Sequence, residues 1–340
     1  MAISMRSGPL APREGVAPRD EAGARGRVNY HEAVSPLFFI VDAGAGAARV
    51  ARLWRAVVAE VRRLGLSFEF ELTQGALTGA SFTRQALRAG ARTIVAVGDD
   101  GTLNEVVNGF FLDGEPLCPE ASLALIPAGS SSVIARGLGI PGGLSALGLL
   151  VGGQPVAVDV GVATFAGGPG QPAVRYFLNN ADVGMGDRGA AAGMRLKWAG
   201  GIAAFLLASV AAVTGPRPWH GSMALDEGDP EVLDAVSVVA ALGPFTGGGM
   251  HIAPQARMDD GLLDVVTVGA MDRGGLLRNL PRVYTGHHPA HPRVRHARAR
   301  TVRIESDDRP LIELDGEVVG AGGAEFRILP GAIRILVPAP

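Results

Sequence analysis

The feature that most constrains this chain is a texture repeated between Pro36 and Gly129: short apolar runs that end in glycine alternate with segments of helical spacing. PLFFIVDAGAG (Pro36 to Gly46) reads as a buried strand entering a turn. The next segment, Ala47 to Leu64, sets Val50, Leu53, Val57, Val58 and Val61 on one helical face. SFEFELT alternates like a half-buried strand, and Gly79 to Ala89 reads as a second helix. TIVAVG (Thr93 to Gly98) is wholly apolar, as central strands of parallel sheets are. A helix is expected from Leu103 to Phe111, and SLALIPAG (Ser122 to Gly129) repeats the strand-to-glycine pattern. Such alternation predicts an α/β domain with a largely parallel sheet. Ligands of these sheets sit beyond the carboxyl ends of the strands, where the turns Gly44 to Gly46, Gly98 to Thr102 and Gly129 to Ser132 lie.

Past about Pro155 the texture changes to short β-rich runs, among them VAVDVGVATF, VRYFLNNADVG, LLDVVTVGA, LIELDGEVVG and FRILPGAIRILV. They predict a second, mainly antiparallel domain, with the site in the cleft between the two. A length of 340 residues suits two domains, and 47% hydrophobic residues supply a core for each. The net charge of −2 gives no global field for nucleic acid, so an anionic ligand must be held by local groups. The single cysteine, Cys118, excludes an intrachain disulfide framework, fits a reducing compartment and reads as a small buried hydrophobe. Residues 1–34 are rich in Arg, Gly, Ala and Pro without an apolar secretory core, and are expected to be an unstructured lead. Between Lys197 and Arg217 there is no charge, which approaches the ~20 residues of a membrane span. Its Ala and Gly content favours a buried or membrane-surface helix instead.

Chemistry concentrates in three turns. Gly98-Asp99-Asp100-Gly101-Thr102 lies between a strand and a helix, where free N–H groups and the dipole favour an anion. It has no lysine and so is not a GxxxxGK[ST] phosphate loop. A carboxylate beside phosphate makes sense if it works through Mg²⁺ or aligns a nucleophile, whereas Asp99 or Asp100 capping a helix begun at Thr102 would be ordinary. Asp315-Gly316-Glu317 sits in a hairpin signal, and Asp259-Asp260-Gly261 in a turn. The segment Arg278 to Arg303 holds arginines and histidines without an acid, and reads either as a solvated basic edge or as a strip facing an anionic leaflet.

GDDGTLNEVVNG resembles the GGDGTxNEVxNG signature of the diacylglycerol kinase and sphingosine kinase-like lipid kinases. SLALIPAGSSSVIARGLGIP, PVAVDVGVA with YFLNNADVGMG, PFTGGGMHIAPQARMDDGLLDVVTV and LIELDGEVVGAGGAEFRILPGAIRILVP resemble further blocks of that family, in the same order, from Pro36 to Pro338. The DDGLLD block separates it from the NAD kinases, which share only the first loop. The resemblance implies a phosphofructokinase-like (NAD kinase-like) α/β nucleotide-binding domain at 35–155 and an antiparallel β-sandwich lipid domain at 156–324. The strands of 325–340 would then return toward the first domain.

It further implies ATP and Mg²⁺ as cofactors and a lipid such as diacylglycerol as phosphoryl acceptor. Asp42, Gly46, Gly98, Asp100, Gly101, Thr102, Glu105, Gly129 and Ser130 would contact the nucleotide. Glu317 would be the general base, assisted by Asp100 and an acidic network containing Asp159. Besides Asp100, a structural Mg²⁺ would be held at Met258, Asp260 and Leu262. The expected setting is cytoplasmic, peripheral on the inner membrane face, with no nucleic-acid partner and with a homodimer allowed. Three departures stand out: Asp42 where the family has Asn, Asp99 where it has the second glycine of GGDGT, and Ser132-Val133 where it has Asn-Asp. They leave open an alternative, a weak or inactive homologue that binds lipid or nucleotide without turnover.

Overall fold

The computed structural model describes residues 26–28, 36–44, 47–73, 78–128, 132–167, 171–184, 217–246 and 249–339. Its first part runs β1 (Gly26–Val28), β2 (Leu37–Asp42), α1 (Ala47–Arg63), β3 (Phe68–Thr73), α2 (Thr78–Arg88), β4 (Thr93–Gly98) and α3 (Asp100–Gly109). A small hairpin, β5 (Phe111–Leu112) and β6 (Glu115–Pro116), precedes β7 (Ser122–Pro127), α4 (Val133–Gly137) and α5 (Leu149–Gly152). Strands β3, β2, β4 and β7 lie side by side, all parallel, so the carboxyl ends of β2, β4 and β7 share one edge. Ile94 to Val97 of β4 are fully buried, which is why that run carries no polar residue. Gly26–Val28, inside the lead expected to lack structure, adds an antiparallel strand outside β3. Helix α3 begins three residues earlier than its apolar spacing suggested, because Asp99 caps it and draws Asp100, Gly101 and Thr102 into the first turn.

The second part contains β8 (Gln154–Ala166), β9 (Pro172–Phe177), β10 (Asn180–Val183), β11 (Trp219–Leu225), β12 (Glu231–Ala241) and β13 (Leu263–Gly269). Helix α6 (Arg273–Thr285) follows, then β14 (Val294–Ala299), β15 (Thr301–Glu305), β16 (Leu311–Leu314), β17 (Glu317–Ala321) and β18 (Ala324–Val337). Its pairings are antiparallel.

Strands β8 and β18 pair from Gln154–Val337 to Phe165–Ala324, with a bulge between Leu329 and Ile333. Both strands serve two cores. Val158, Val160, Val162, Ile333 and Ile335 pack with the α/β sheet. Further along the same strands, Ala163, Phe165, Phe326 and Ile328 pack inside the sandwich. The end of β18 runs parallel beside β7, pairing Arg334 with Ser122. The chain therefore passes from one core to the other within continuous paired strands, between Val162 and Ala163 on β8 and between Ile328 and Leu329 on β18. Among the described residues no helix is long and apolar enough to cross a membrane, and the uncharged segment Trp198 to Pro216 lies outside them.

Candidate active site

The site grows from the turn after β4. A Cβ on Gly98 would stand 2.3 Å from Thr102 Oγ1, so only glycine lets the helix start this close to the strand end. Asp99 has φ −98° and ψ −171°, ordinary extended backbone, so aspartate replaces the family's glycine without strain. Its carboxylate turns back onto the helix and accepts from Thr102 N (3.2 Å) and from Thr102 Oγ1 (3.4 Å). Asp100 points the other way, accepting from Ser132 Oγ (2.5 Å) and Val133 N (2.9 Å) at the start of α4. Burial pushes its pKa up to about 6, against the Ser132 and Val133 bonds that favour the charge and with the fields of Asp315 and Asp99 adding to the rise. Ser132 and Val133, two of the departures, are thus what holds Asp100. Glu105 accepts from Gly79 N (2.8 Å) and so caps α2.

Glu317 enters this turn from the other domain. A Cβ placed on Gly101 would lie 3.4 Å from Glu317 Oε1 and 3.3 Å from Asp99 Oδ1. Partial burial raises the Glu317 pKa, the nearby Glu105 raises it further, and the guanidinium of Arg175 on β9 pulls it down. Residues 216 apart in the chain thus meet at one spot.

What brings them together is Asp315, a residue the sequence reading passed over. Its buried carboxylate accepts from Leu178 N (2.8 Å), Asn104 Nδ2 (2.8 Å), Asn179 N (2.9 Å) and Asn180 N (3.0 Å). Burial raises its pKa, and these donors oppose the rise. The residue adopts φ +50°, a conformation Asp tolerates, and this turns the chain so that Glu317 follows two residues on. Asn108, one helical turn after Asn104, donates to Tyr176 O (2.9 Å) and accepts from Tyr176 N (3.0 Å). The two asparagines of NEVVNG therefore clamp α3 to β9. A pair of buried amides at i, i+4 was the available signal, since such groups need partners.

Other expected site residues lie elsewhere. Asp42 closes an Asx turn on Gly44 N (2.7 Å) at the end of β2. Gly46, Gly129 and Ser130 are outside the described residues. Asp159 is spent on backbone: its oxygens accept from Gly261 N (2.8 Å) and Gly331 N (2.7 Å), while its own N–H donates to Met258 O (2.8 Å). It ties β8 to two turns, with no contact to the Asp100–Glu317 turn.

At the Met258–Asp260–Leu262 turn, expected to hold a divalent ion partly through backbone carbonyls, polar groups have partners within the protein. Met258 O already accepts from Asp159, and Asp260 Oδ1 accepts from Leu262 N (3.2 Å). Asp260 Oδ2 faces Arg298 Nη1 at 3.6 Å. Arg298 also reaches the fully buried Asp264 (3.4 Å), as does His296 (2.8 Å). Arg298 brings a guanidinium to this turn, and among the described residues no group of three or more His, Cys, Asp or Glu could hold a metal. In the basic segment Arg295 and Arg303 are also paired with acids, Glu231 (3.1 Å) and Glu325 (3.0 Å).

Fold and site together define a two-domain protein of the NAD kinase-like architecture, with an acidic hairpin of the sandwich set against the glycine turn of the α/β sheet. Residues 36–163 match the diacylglycerol kinase catalytic domain, and residues 180–337 match the YegS C-terminal NAD kinase beta sandwich-like domain. A protein of Pseudomonas syringae pv. tomato described as "Probable lipid kinase YegS-like" is 31% identical, over 84% of this chain and 88% of its own. The chain belongs to this YegS-like family of diacylglycerol kinase-related proteins. A solved structure described as "A putative diacylglycerol kinase from Bacillus anthracis str. Sterne" superposes with a TM-score of 0.70 at 21% identity, covering 91% of this chain and 99% of that one. Yeast NADH kinase shares the fold at a TM-score of 0.52 and 9% identity, over 89% and 84% of the two chains.

Proposed function

We propose that this protein is a lipid kinase, moving the γ-phosphoryl group of Mg²⁺-bound ATP to the hydroxyl of a lipid such as diacylglycerol. The observation that carries the reading is the approach of Glu317 to Gly101, which sets a free carboxylate at the strand-to-helix turn suited to phosphate. Asp99, Asp100, Glu105 and Glu317 crowd this turn with negative charge, so a bare polyphosphate is disfavoured and one accompanied by a divalent cation is the fitting substrate.

Glu317 is the residue suited to be the base, because Asp100 already accepts two hydrogen bonds and Asp315 four. Its raised pKa brings it closer to the working pH, where a general base is most effective. In the step itself the lipid oxygen bonds to the γ-phosphorus, the bond to the β-phosphate oxygen breaks, ADP leaves and Glu317 accepts the hydroxyl proton. Little covalent help is required, and orientation by two domains joined through β8 and β18 supplies much of the effect. The acceptor, an acyl lipid, is met at a membrane surface.

The test is transfer of labelled phosphate from ATP to a panel of lipids in mixed micelles with Mg²⁺. Diacylglycerol or a related lipid alcohol should be labelled, and Glu317→Ala should lower kcat by about 10²–10⁴-fold with an unchanged melting temperature. Equal activity of the two proteins sinks the assignment of the base. ATP binding without labelling of any lipid would favour the non-catalytic alternative.

A further inference from the structure

Among the described residues, the groups bonded to Asp99 and Asp100 are neutral donors, the guanidinium of Arg175 acts on Glu317, and the glycine loops contain no lysine. A transferring phosphoryl group nevertheless gathers negative charge that a protein cation usually meets. One described cation stands on the short helix that also holds Asp100. Arg136 sits on α4 one helical turn after Ser132, to whose carbonyl its own N–H donates (3.2 Å). Ser132 in turn holds Asp100. The side chain of Arg136 leaves the first domain and crosses to the second, where its guanidinium lies 4.1 Å above the ring of Phe245. Phe245 is backed by His251, ring centroids 4.7 Å apart and 21° from parallel. The far end of Arg136 reaches the backbone of Gly249, where an added Cβ would stand 3.1 Å from Nη1.

Three facts suit this guanidinium to an anionic ligand. It has no carboxylate partner among the described residues, whereas Arg295, Arg298 and Arg303 are paired. It is exposed, so its N–H donors are free for a ligand. Its plane is held by an aromatic shelf, which reduces the freedom lost on binding while leaving the forked edge open. The shelf is itself anchored to the Asp315 hub: Asn179 Nδ2 donates to Phe245 O (2.8 Å) and Thr246 Oγ1 to Asn180 Oδ1 (3.3 Å).

We propose that Arg136 binds phosphate in the cleft, engaging the polyphosphate of the nucleotide as it lies between the Asp100 turn and the second domain. The inference rests on the phosphoryl-transfer reading above for its ligand class, and its chemistry is that of any phosphate ester. A phosphorylated lipid is therefore a second source that the experiment separates. Calorimetry in Mg²⁺ buffer compares AMP, ADP, ATP and inorganic pyrophosphate for the native protein, R136A, R136K and F245L, without any lipid acceptor.

R136A should lose about tenfold or more in affinity for ATP and pyrophosphate while AMP is little changed, as expected for a lost charge-assisted fork. R136K should recover part of the loss, and F245L should fall between the two. A separate arm measures binding to phosphatidylcholine vesicles with and without phosphatidic acid. Loss of the phosphatidic acid increment in R136A, with ATP binding unchanged, overturns the nucleotide assignment. Native-like binding of ATP and pyrophosphate by R136A overturns the proposal outright. Melting temperatures check folding, and if R136A is destabilised, R136K against F245L decides the question by the same ratios. Should the native protein label no lipid yet lose pyrophosphate binding with R136A, the kinase reading fails and the phosphate site stands. Lipid labelling that survives intact in R136A has the opposite meaning.

Discussion

The molecule contains the same tripeptide twice, and the two copies do opposite things. In Gly98-Asp99-Asp100-Gly101-Thr102 no cation pairs with the aspartates among the described residues. Asp99 caps a helix, Asp100 ties that helix to α4, and Glu317 brings a third carboxylate into the turn. In Met258-Asp259-Asp260-Gly261-Leu262 each acid meets a guanidinium, Asp259 from Arg257 (3.0 Å) and Asp260 from Arg298 (3.6 Å). The first turn is left with uncompensated negative charge, which under the proposed reading calls for a cation-bearing substrate. The second is neutralised from within and acts as a clasp, with Asp159 closing it onto β8. Adjacent aspartates and a glycine say that a chain turns, while the surrounding charges say what the turn is for.

The comparison is most easily broken at the hub beneath the first turn. Asp315→Ala leaves three backbone N–H groups and Asn104 without their acceptor, and should cost about 3–5 kcal/mol in urea unfolding. A loss below about 1 kcal/mol would mean that the domains are held by β8 and β18 alone.

Next in size is the acid pair beside the hub. Glu313 lies directly across from Asp182, whose carboxylate already accepts from Ser237 Oγ (2.8 Å). Burial and then the Asp182 and Asp315 charges push Glu313 from the ordinary 4.5 to about 7. The sign follows from linkage. Between these values the folded protein keeps a proton that the unfolded chain has released, so stability falls as pH rises, with the full cost reached above about 7. Glu313→Gln should therefore stabilise by about 2 kcal/mol at pH 8 and by nearly nothing at pH 4. A variant equally affected at both pH values would place the effect in packing.

The second turn is probed by Arg298→Met, which keeps the stem and removes the charge. Because Arg298 is partly exposed, the expected loss is about 1–2 kcal/mol. The native melting temperature should be the same in EDTA and in Mg²⁺, whereas the variant, with Asp260 and Asp264 deprived of their guanidinium, should gain stability from Mg²⁺. A native protein that melts earlier in EDTA would return a divalent ion to this turn. Smallest of all is Asp99→Gly, since glycine costs only a few tenths of a kcal/mol relative to aspartate at an N-cap. Thermal melting should barely move, and any rise in the kinase turnover would show that the Asp99 charge opposes phosphate despite being turned away.

Much of the first domain was legible because periodicity is local. The apolar runs of β2, β4 and β7 and the helical face of α1 declare themselves within windows of six to eighteen residues. The start of α3 was misplaced because a cap is a side-chain hydrogen bond, which apolar spacing does not register. Glu317 was legible as a candidate through its resemblance to a family motif, yet Asp315, two residues earlier, looked like an ordinary turn former. Only its four donors, drawn from α3 and from the 178–180 segment, reveal it as the joint of the molecule.

The sequence by itself determined the α/β start, the β-rich remainder, the glycine at the close approach of β4 to α3, and the family to which the chain belongs. Those follow from local spacing, from the steric demands of single residues, and from motifs that stand in order along the chain. Tertiary structure alone decided which acids stay exposed, which are neutralised and which are buried as anchors. It also decided that Arg136 would rest unpaired on Phe245 while Arg298 is consumed by Asp260 and Asp264. Charge and hydrogen-bond partners are set by distance in space, and the pairs that matter here join positions from about thirty to more than two hundred residues apart.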